Sequence, residues 1–452
     1  MKTNINRREF LKKAGISALA VGGLGSIHGC SADEVQETAA SDALVTTRIN
    51  PHNGDNVGLL GYGAMRWPMK KDENGKNVVD QEAVNALVDH AIAHGVNYFD
   101  SAPVYHRGMS EIVTGIALSR HPRESYYIAT KMSNFKGDHP SKEDGIEMYS
   151  NSLKAFSTDY IDYYLLHSIG DEDEFNRRFR DNGLIDFLME ERKAGRIRNL
   201  GFSFHGNKAG FGQLMALHET YHWDFVQIQM NYMDWAHASS RNTDANYLYA
   251  ELAKRNIPVV IMEPLLGGRL AKVPVNISRR FKERDPQKSS ASWAFRFAGS
   301  PEGVLTVLSG MTYMEHLQDN IGTFADFKPM TDEELAFMEE TAEIMNKFPV
   351  IGCTGCQYCM PCPYGIDIPA IFTHYNKCVN EGFISEEHGT KAYRKARRAY
   401  LVSYERAIPD LSQADRCIGC NQCVRSCPQH ISIPRELHRI DRYIEQLKRN
   451  KF

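Results

Sequence analysis

Eight short apolar runs recur along residues 57–308 and set the strongest constraint on how this chain folds. The runs are continuously apolar rather than alternating, which is typical of strands buried on both faces of a parallel sheet. Stretches with helical spacing, such as Gln81–His94, lie between them. The runs are Val57–Gly61, Val96–Phe99, Tyr126–Thr130, Tyr160–Leu166, Asn199–Ser203, Phe225–Met230, Pro258–Met262 and Val304–Leu308. Eight strand–helix units in about 270 residues predict an α/β fold, a (β/α)8 barrel, with a doubly wound sheet as the alternative.

Polar side chains stand at the ends of seven of these runs. They are Asp100, Lys131, His167, Ser203, Gln229, Glu263 and Ser309. In (β/α)8 barrels, functional residues collect at the C-terminal ends of the strands. A barrel with a purely structural role does not require such a set, so the sequence predicts a functional site at that end.

Three of the run ends carry motifs that resemble the aldo-keto reductase family. The motifs resemble the family's second-strand segment, third-strand lysine and fourth-strand histidine, and they are Asn97–Tyr105, Ala129–Lys131 and Tyr164–His167. The resemblance covers residues 50 to about 325 and implies a catalytic tetrad. The members of this tetrad are Asp100, Tyr105, Lys131 and His167.

The tetrad implies interconversion of a carbonyl and an alcohol by hydride transfer. A free tyrosine has a pKa of about 10, so Tyr105 needs help to exchange a proton near neutral pH. The Lys131 ammonium is expected to favour the phenolate and make Tyr105 a better acid. Asp100 is expected to hold Lys131 in an ion pair, and His167 to orient the substrate oxygen. The alternative is a barrel-lining Asp100–Lys131 pair with Tyr105 as a rim aromatic.

The resemblance also implies a site for NAD(P) across the strand ends. The implied contacts are Ser203 and Gln227 for the carboxamide, Gly267, Gly268 and Arg269 for the pyrophosphate, and Asn320 near the adenine. The segment around residues 310–316 lacks the Lys and Arg that commonly clasp a 2′-phosphate. Such a phosphate requires a fixed cation, so NAD is predicted rather than NADP.

Eight of the ten cysteines lie in two tight runs, each ending in Cys-Pro. The second run has the spacing C-x2-C-x2-C-x3-C-P, in which three thiolates hold most of one [4Fe–4S] cluster and the fourth reaches the other. The last gap of the first run is one residue shorter. The runs are Cys353, Cys356, Cys359 and Cys362, and Cys417, Cys420, Cys423 and Cys427. They predict two [4Fe–4S] clusters with exchanged fourth ligands, with structural zinc and disulfides as the alternatives.

The segment that holds both runs also carries the helical patterns Pro369–Glu381 and Lys391–Ala407. It therefore predicts a C-terminal, mainly helical ferredoxin-like iron–sulfur domain. The predicted organisation is a signal segment at 1–30, a linker at 31–50, the barrel at 51–330 and the iron–sulfur domain at 331–452. The whole chain resembles exported aldo-keto reductases with a C-terminal ferredoxin-like domain.

Residues 1–30 predict a targeting segment rather than part of the fold. Arg7–Lys12 is a twin-arginine signature, and the apolar stretch Ala14–Ile27 is too short and glycine-rich for a membrane span. Cys30 ends a segment that resembles a lipoprotein cleavage box, with a cysteine merely near a signal cleavage site as the alternative. The predicted location is the periplasm, or the membrane through a lipid anchor on Cys30.

Composition limits the kinds of molecule that the chain is expected to bind. The net charge of −3 gives no sign of nucleic-acid binding. The predicted function is an oxidoreductase acting on a small-molecule carbonyl or alcohol, coupled to electron transfer through the clusters and to a redox partner protein. Two alternatives are an electron-transfer subunit whose barrel is a docking or substrate-binding scaffold, and a non-catalytic surface lipoprotein that binds carbohydrate.

Overall fold

The computed structural model describes residues 43–135, 140–238, 243–384 and 389–449. The twin-arginine segment, Cys30 and most of the predicted linker lie outside these residues, so export and lipidation stay predictions. Among the described helices, none combines the length and the apolar character needed to cross a bilayer.

The strands of the described residues are β1 (Thr47–Ile49), β2 (Asn56–Gly58), β3 (Leu60–Gly63), β4 (Met69–Lys71), β5 (Asn77–Val79), β6 (Tyr98–Asp100), β7 (Tyr127–Met132), β8 (Ile161–Ile169), β9 (Ile197–Phe204), β10 (Phe225–Gln229), β11 (Val259–Met262) and β12 (Val304–Ser309). Eight parallel strands close into a barrel in the order β10-β11-β12-β3-β6-β7-β8-β9. The closed sheet confirms the predicted (β/α)8 barrel over the doubly wound alternative.

The first apolar run does not form one strand. Its beginning belongs to β2, which pairs antiparallel with β1, and the barrel strand β3 begins only at Leu60. The Gly58 N–H donates to the Asn97 side chain at 2.8 Å instead of continuing a strand ladder. The predicted strand Val57–Gly61 is therefore wrong in its bounds, because the chain turns between two sheets inside the run.

The helices connect the strands and build the C-terminal region. They are α1 (Gln81–Ala93), α2 (Ser110–Leu118), α3 (Lys142–Phe156), α4 (Glu172–Phe175), α5 (Leu184–Lys193), α6 (Lys208–Ala216), α7 (His218–Tyr221), α8 (Asp234–His237), α9 (Ala245–Ala253), α10 (Val275–Arg284), α11 (Ser290–Gly299), α12 (Met314–Phe324), α13 (Asp332–Met345), α14 (Ile368–Asn380), α15 (Lys391–Ala407), α16 (Gln422–Arg425) and α17 (Ile433–Arg449). Local signals set several of these bounds. The Asp80 side chain caps α1, and Thr331 with Glu334 forms a capping box at α13.

The barrel interior is a packed core. Inward-facing side chains from its strands and from β2 fill it, and they are Val57, Tyr98, Ala129, Tyr163, Leu165, Phe225, Val260, Leu305 and Leu308. A second apolar layer lies between the strands and the surrounding helices. Because the interior is filled, a small molecule reaches polar groups only at the strand ends.

Helix α13 packs with the barrel. Its apolar face, with Met338 and Ala342, is buried in one cluster with Tyr232 and Trp293. The helix lies beyond the predicted boundary at residue 330, and that boundary stays a prediction.

The C-terminal region is mainly helical, as predicted. Helices α14, α15 and α17 share a core whose members include Ile371, Phe372, Tyr400 and Leu437. Helices α14 and α17 both begin with an Ile-Pro pair, and each pair follows the Cys-Pro end of a cysteine run. Six cysteines of the two runs pack at the edge of this core, so the helices hold both runs against one scaffold.

Candidate active site

The four tetrad side chains lie at the C-terminal ends of neighbouring strands. Asp100 ends β6, Lys131 lies in β7 and His167 lies in β8. These strands are adjacent and parallel, so their ends meet at one edge of the barrel. Tyr105 begins a short 3₁₀ segment in the loop after β6. The structure therefore brings together all four residues that the motifs singled out.

Asp100 and Lys131 form a buried ion pair. Lys131 Nζ donates to Asp100 Oδ1 at 2.5 Å and to the Ser101 carbonyl oxygen at 2.7 Å. The side chains are only 1 % (Lys131) and 4 % (Asp100) exposed. Burial raises the pKa of Asp100 and lowers the pKa of Lys131, and the charge of each partner opposes the shift of the other. Each residue is thus the main reason that the other can stay charged here.

The Tyr105 phenol lies beside this pair. Lys131 Nζ is 5.1 Å from the centre of the Tyr105 ring. Burial, followed by the nearby Tyr358 phenol and the Asp100 carboxylate, raises the pKa of Tyr105 well above its ordinary value. The sequence predicted the opposite effect from Lys131, whose charge is instead engaged by Asp100. Tyr105 is therefore a protonated phenol near neutral pH, suited to giving a proton to an oxygen.

His167 completes the site as a neutral imidazole. Its Nδ1 forms a hydrogen bond of 2.5 Å with Ser133 Oγ, and its ring stands edge-on to the Tyr105 ring at 5.9 Å between centres. Burial, followed by the Lys131 and Arg178 charges, lowers the pKa of His167 well below its usual range. Sequence analysis missed Ser133, although it lies two residues after Lys131, where a strand returns to the same face.

One aromatic side chain from the C-terminal region enters this site. Tyr358 lies between Cys356 and Cys359, and its hydroxyl is 3.5 Å from His167 Nε2. The Tyr105 hydroxyl also lies close enough to the Tyr358 hydroxyl for each phenol to shift the pKa of the other. The Tyr358 oxygen therefore stands where a substrate oxygen would meet Tyr105 and His167. No sequence pattern indicated this contact, because 191 residues separate Tyr358 from His167.

The predicted carboxamide residues lie next to the tetrad. Ser203 pairs in register with Gln227 on adjacent strands, and both are buried. Ser203 Oγ accepts a hydrogen bond from the Ser168 N–H at 2.7 Å. Gln227 lies close enough to Asp100 to favour its ionised form, and among the described residues Gln227 Oε1 has no hydrogen-bond partner. A buried acceptor is thus available beside the tetrad for an amide donor.

The predicted pyrophosphate loop faces a different neighbour. Gly267 adopts a left-handed φ of 67°, and a Cβ atom there would overlap the backbone of Thr354. Thr354 belongs to the first cysteine run, and its carbonyl oxygen also accepts a hydrogen bond of 2.6 Å from Arg66. Gly268, with a φ of 94°, has open space at its Cβ position. In this arrangement the loop does not fit a dinucleotide, because Thr354 occupies the space beside Gly267.

The two other predicted nucleotide contacts are engaged by protein groups. Arg269 lies near the carboxylate of Asp234 and the thiol of Cys353. Asn320 is buried and its Nδ2 donates to Ser309 Oγ at 3.0 Å. The cation predicted to meet a pyrophosphate therefore lies beside the first cysteine run.

The eight cysteines of the runs associate in two groups that each combine both runs. Burial, together with the nearby Cys353 and Cys427 thiols, raises the pKa of the Cys356 and Cys359 thiols to about 12. Burial also raises the pKa of Cys353, again with Cys427 as a neighbour. We call Cys353, Cys356, Cys359 and Cys427 the first thiol group.

The other four cysteines form the second thiol group. Burial raises the pKa of Cys417 and Cys423, and both have Cys362 and Cys420 as neighbouring thiols. All nine described cysteines are free thiols, and no three described His, Cys, Asp or Glu side chains are grouped closely enough to hold a single metal ion. Each group supplies four thiols, which fits the donor set of a [4Fe–4S] cluster, whose cysteines bind separate irons. The grouping is the one expected from exchanged fourth ligands.

Family models match both parts of the chain. The model described as aldo/keto reductase family matches residues 59–343. The model described as 4Fe-4S dicluster domain matches residues 352–432. Both matches agree with the resemblances drawn from the strand-end motifs and the cysteine spacing.

Curated relatives cover part of the barrel. Protein tas of Escherichia coli is 29% identical over 196 residues, which are 37% of this chain and 54% of that protein. The chain thus spans about half the length of this relative. An uncharacterized oxidoreductase of Bacillus subtilis, YqkF, is 25% identical over 282 residues, which are 56% of this chain and 86% of that protein.

Solved structures share the barrel fold. A holo-form aldo-keto reductase from Bacillus halodurans is 20% identical with a TM-score of 0.53, covering 66% of this chain and 96% of that one. An aldo/keto reductase from Klebsiella pneumoniae, solved with NADP and acetate, is 22% identical with a TM-score of 0.51 and covers 66% of this chain and 95% of that one. The shared part is the barrel architecture.

Proposed function

The chain belongs to the aldo/keto reductase family, and we propose that it reduces a carbonyl compound at the tetrad while two [4Fe–4S] clusters carry the electrons, together with a hydride donor wherever the product gains a carbon–hydrogen bond. The observation that carries this proposal is the contact of Tyr358, from within the first cysteine run, with both Tyr105 and His167. It joins the segment that would hold a cluster to the groups that would handle the substrate oxygen.

The chemistry of the tetrad follows from its charges. A carbonyl oxygen in the place of the Tyr358 hydroxyl accepts hydrogen bonds from Tyr105 and from His167 Nε2. Tyr105 gives its proton to that oxygen as the carbonyl is reduced, and the nearby Lys131 ammonium stabilises the phenolate that remains. Because burial raises the pKa of Tyr105, the phenol is protonated before reaction and carries the proton that reduction requires.

The thiol groups would hold the clusters. Each group offers four cysteines on a shared helical core, and Arg269 beside Cys353 provides a cation next to the first. Bound there, [4Fe–4S] clusters supply or accept electrons one at a time. A cation near a cluster stabilises added negative charge and therefore favours reduction.

Exchange of the fourth ligand gives a testable expectation. Replacing Cys427 by Ala is expected to alter the same electron paramagnetic resonance signal as replacing Cys356, although Cys427 belongs to the other run. Cys362→Ala is expected to alter the signal that Cys420→Ala alters. Cys378→Ala is the control, because this buried cysteine lies near His374, outside both groups, and its loss should leave the iron content unchanged. Identical signals in Cys427→Ala and Cys420→Ala would instead mean that each run holds its own cluster.

Nucleotide-linked hydride transfer is a second form of the proposal. The unpaired Gln227 Oε1 beside the tetrad favours it. So do relatives named NADH-specific methylglyoxal reductase, which is 34% identical over 132 residues, and NADPH-dependent alpha-keto amide reductase, which is 29% identical over 155 residues. This form, with NAD rather than NADP, requires Thr354 to leave Gly267.

The experiment that tests the proposed function follows the clusters directly. The mature holoprotein is reduced with dithionite without oxygen, freed of excess reductant, and mixed with carbonyl compounds while the cluster absorbance is recorded. We expect at least one compound to reoxidise the clusters with formation of the reduced product. Clusters that stay reduced with every carbonyl compound would favour the electron-transfer subunit, in which the barrel serves only for docking.

A further inference from the structure

The C-terminal region covers the barrel mouth with several specific contacts. The segment 353–360 contributes Thr354, which packs on Gly267 and accepts from Arg66, and Tyr358, which reaches His167. A second segment contributes Gln429, whose side chain exchanges hydrogen bonds of 2.9 and 3.3 Å with Gln229 at the end of β10. A third contact joins Asn380 Nδ2 to the Lys272 carbonyl oxygen at 2.9 Å. We call these contacting parts of the C-terminal region the cover. The cover lies over strand ends on different sides of the barrel.

Barrel groups that lie under the cover make specific contacts with it. Gly267 is the residue type needed where another backbone approaches closely at a positive φ. Glu263 lies beside Thr354, whose buried hydroxyl has no hydrogen-bond partner among the described residues. Arg66 donates to the Thr354 carbonyl oxygen at 2.6 Å. One arginine and one glycine thus find partners in a single residue of the first cysteine run.

From this fit we infer that segment 353–360 takes the place of the nicotinamide nucleotide, so that electrons pass directly between the first thiol group's cluster and a quinone-type substrate at the tetrad. The inference rests on the proposed function and names its electron donor and its substrate class. Thr354 fills the pyrophosphate position, and Tyr358, flanked by Cys356 and Cys359, reaches the position of the substrate oxygen.

The substrate class follows from the balance of the reaction. Reduction of a conjugated dicarbonyl to the dihydroxy compound takes two electrons and two protons, and both protons go to oxygen. An isolated carbonyl would also need a hydrogen on carbon, which a one-electron donor does not supply. The groups that face the substrate position, Tyr105, His167 and Tyr358, are all hydroxyl or imidazole groups suited to an oxygen. Tyr105 gives one proton to the nearer oxygen, solvent gives the other, and two molecules of a reduced one-electron carrier protein provide the electrons.

Tyr358 is a positioning residue in this scheme. Its hydroxyl competes with the substrate oxygen for Tyr105 and His167, so Tyr358→Phe is expected to lower KM for a quinone by about two- to ten-fold, the value of one hydrogen bond. The value of kcat and the iron content should be retained. A raised KM, or an unchanged KM with lost iron, would mean that the hydroxyl has a structural role only.

The decisive experiment compares the quinone with the nucleotides as electron-exchange partners of the holoprotein. Holoprotein that has been reduced and freed of excess reductant is mixed with a benzoquinone as the probe substrate, oxidised holoprotein is mixed separately with NADH or NADPH, and nucleotide binding is measured by calorimetry. We expect the quinone to reoxidise the clusters, and neither binding nor cluster bleaching with the nucleotides. Cluster bleaching with a nucleotide would overturn this inference and leave the proposed function standing. Reoxidation by the quinone at a rate that is unaffected by Tyr105→Phe would overturn both, because the tetrad would then take no part.

A matched pair of glycine variants tests the cover itself. Gly267→Ala and Gly268→Ala both place a side chain at a positive φ, but only the first pushes against Thr354. Gly267→Ala is expected to shift the magnetic resonance signal of the first thiol group's cluster and its midpoint potential, and Gly268→Ala to leave both in place. Equal effects, or none at Gly267, would place segment 353–360 away from the loop and remove the basis of the inference.

Discussion

A Tyr105→Phe variant is expected to lose about 10²- to 10⁴-fold in the rate at which carbonyl substrates reoxidise the reduced clusters, the range that general acid catalysis contributes. The change removes the hydroxyl that gives its proton to the substrate oxygen in the proposed reaction. The two thiol groups lie at the edge of a separate helical core, so the iron content and absorbance of the variant should match those of the unchanged protein. Stopped-flow mixing under anaerobic conditions measures the rate.

The control for this variant is another buried tyrosine of the same barrel. Tyr164 lies in β8, is fully buried, and among the described residues its hydroxyl has no hydrogen-bond partner. Tyr164→Phe removes the same atom without removing a partnered group, so its effect on rate and stability is expected to be small. If both variants lost activity equally, the effect of Tyr105 would be one of packing rather than of proton transfer.

The pH dependence provides an independent check on the same residue. Burial raises the pKa of Tyr105 and lowers that of His167, so neither group changes its protonation state near neutral pH. The rate of reduction in the unchanged protein is therefore expected to stay level from mildly acidic to mildly alkaline pH. A bell-shaped profile centred near neutrality would mean that another group donates the proton.

Much of the barrel could be predicted from the sequence because the physical signals were local. A strand buried on both faces needs a continuous apolar run, and the end of each run places one residue at the mouth. Asp100, Lys131 and His167 follow from that rule alone, once the strands are parallel and adjacent. The predicted bounds of the first strand were wrong because continuous apolarity does not reveal the turn between Gly58 and Leu60.

The cover over the tetrad could not be predicted in this way. The contact between Tyr358 and His167 joins parts of the chain that are far apart in sequence, and it depends on how the C-terminal region packs against the barrel. The sequence could not show which group contacts the Gly267–Gly268 pair, for a physical reason. A glycine is needed wherever another atom approaches the backbone closely, whether that atom belongs to a phosphate or to Thr354.

The direction of the Tyr105 pKa shift also depended on burial that the sequence does not contain. A neighbouring ammonium favours a phenolate, but here the ammonium is held by Asp100, and burial of the phenol raises its pKa. The residue types were therefore sufficient to locate the site, whereas the protonation state of Tyr105 required the packing around it.

The largest effect on stability is expected from Lys131→Met. This change leaves the Asp100 carboxylate buried without its cation, and breaking a buried pair on one side costs about 3–5 kcal/mol. Activity should fall as well, because the phenolate that Tyr105 leaves behind loses the nearby positive charge. Thermal unfolding of the holoprotein, compared between variant and unchanged protein at several pH values, measures the cost.

The pH dependence of that cost has a definite sign. Without Lys131, burial holds the folded-state pKa of Asp100 still further above its unfolded value. A raised folded-state pKa means that the native protein binds the proton more tightly, so stability is present at low pH and is lost as pH rises through that pKa. The loss of stability in Lys131→Met should therefore grow from mildly acidic to mildly alkaline pH.

The double variant Asp100→Asn with Lys131→Met, which carries neither charge, should recover most of the stability at every pH but not the activity. If the double variant were as unstable as the single one, the loss would come from the Lys131 side chain's packing, and the buried charge of Asp100 would not be what Lys131 compensates.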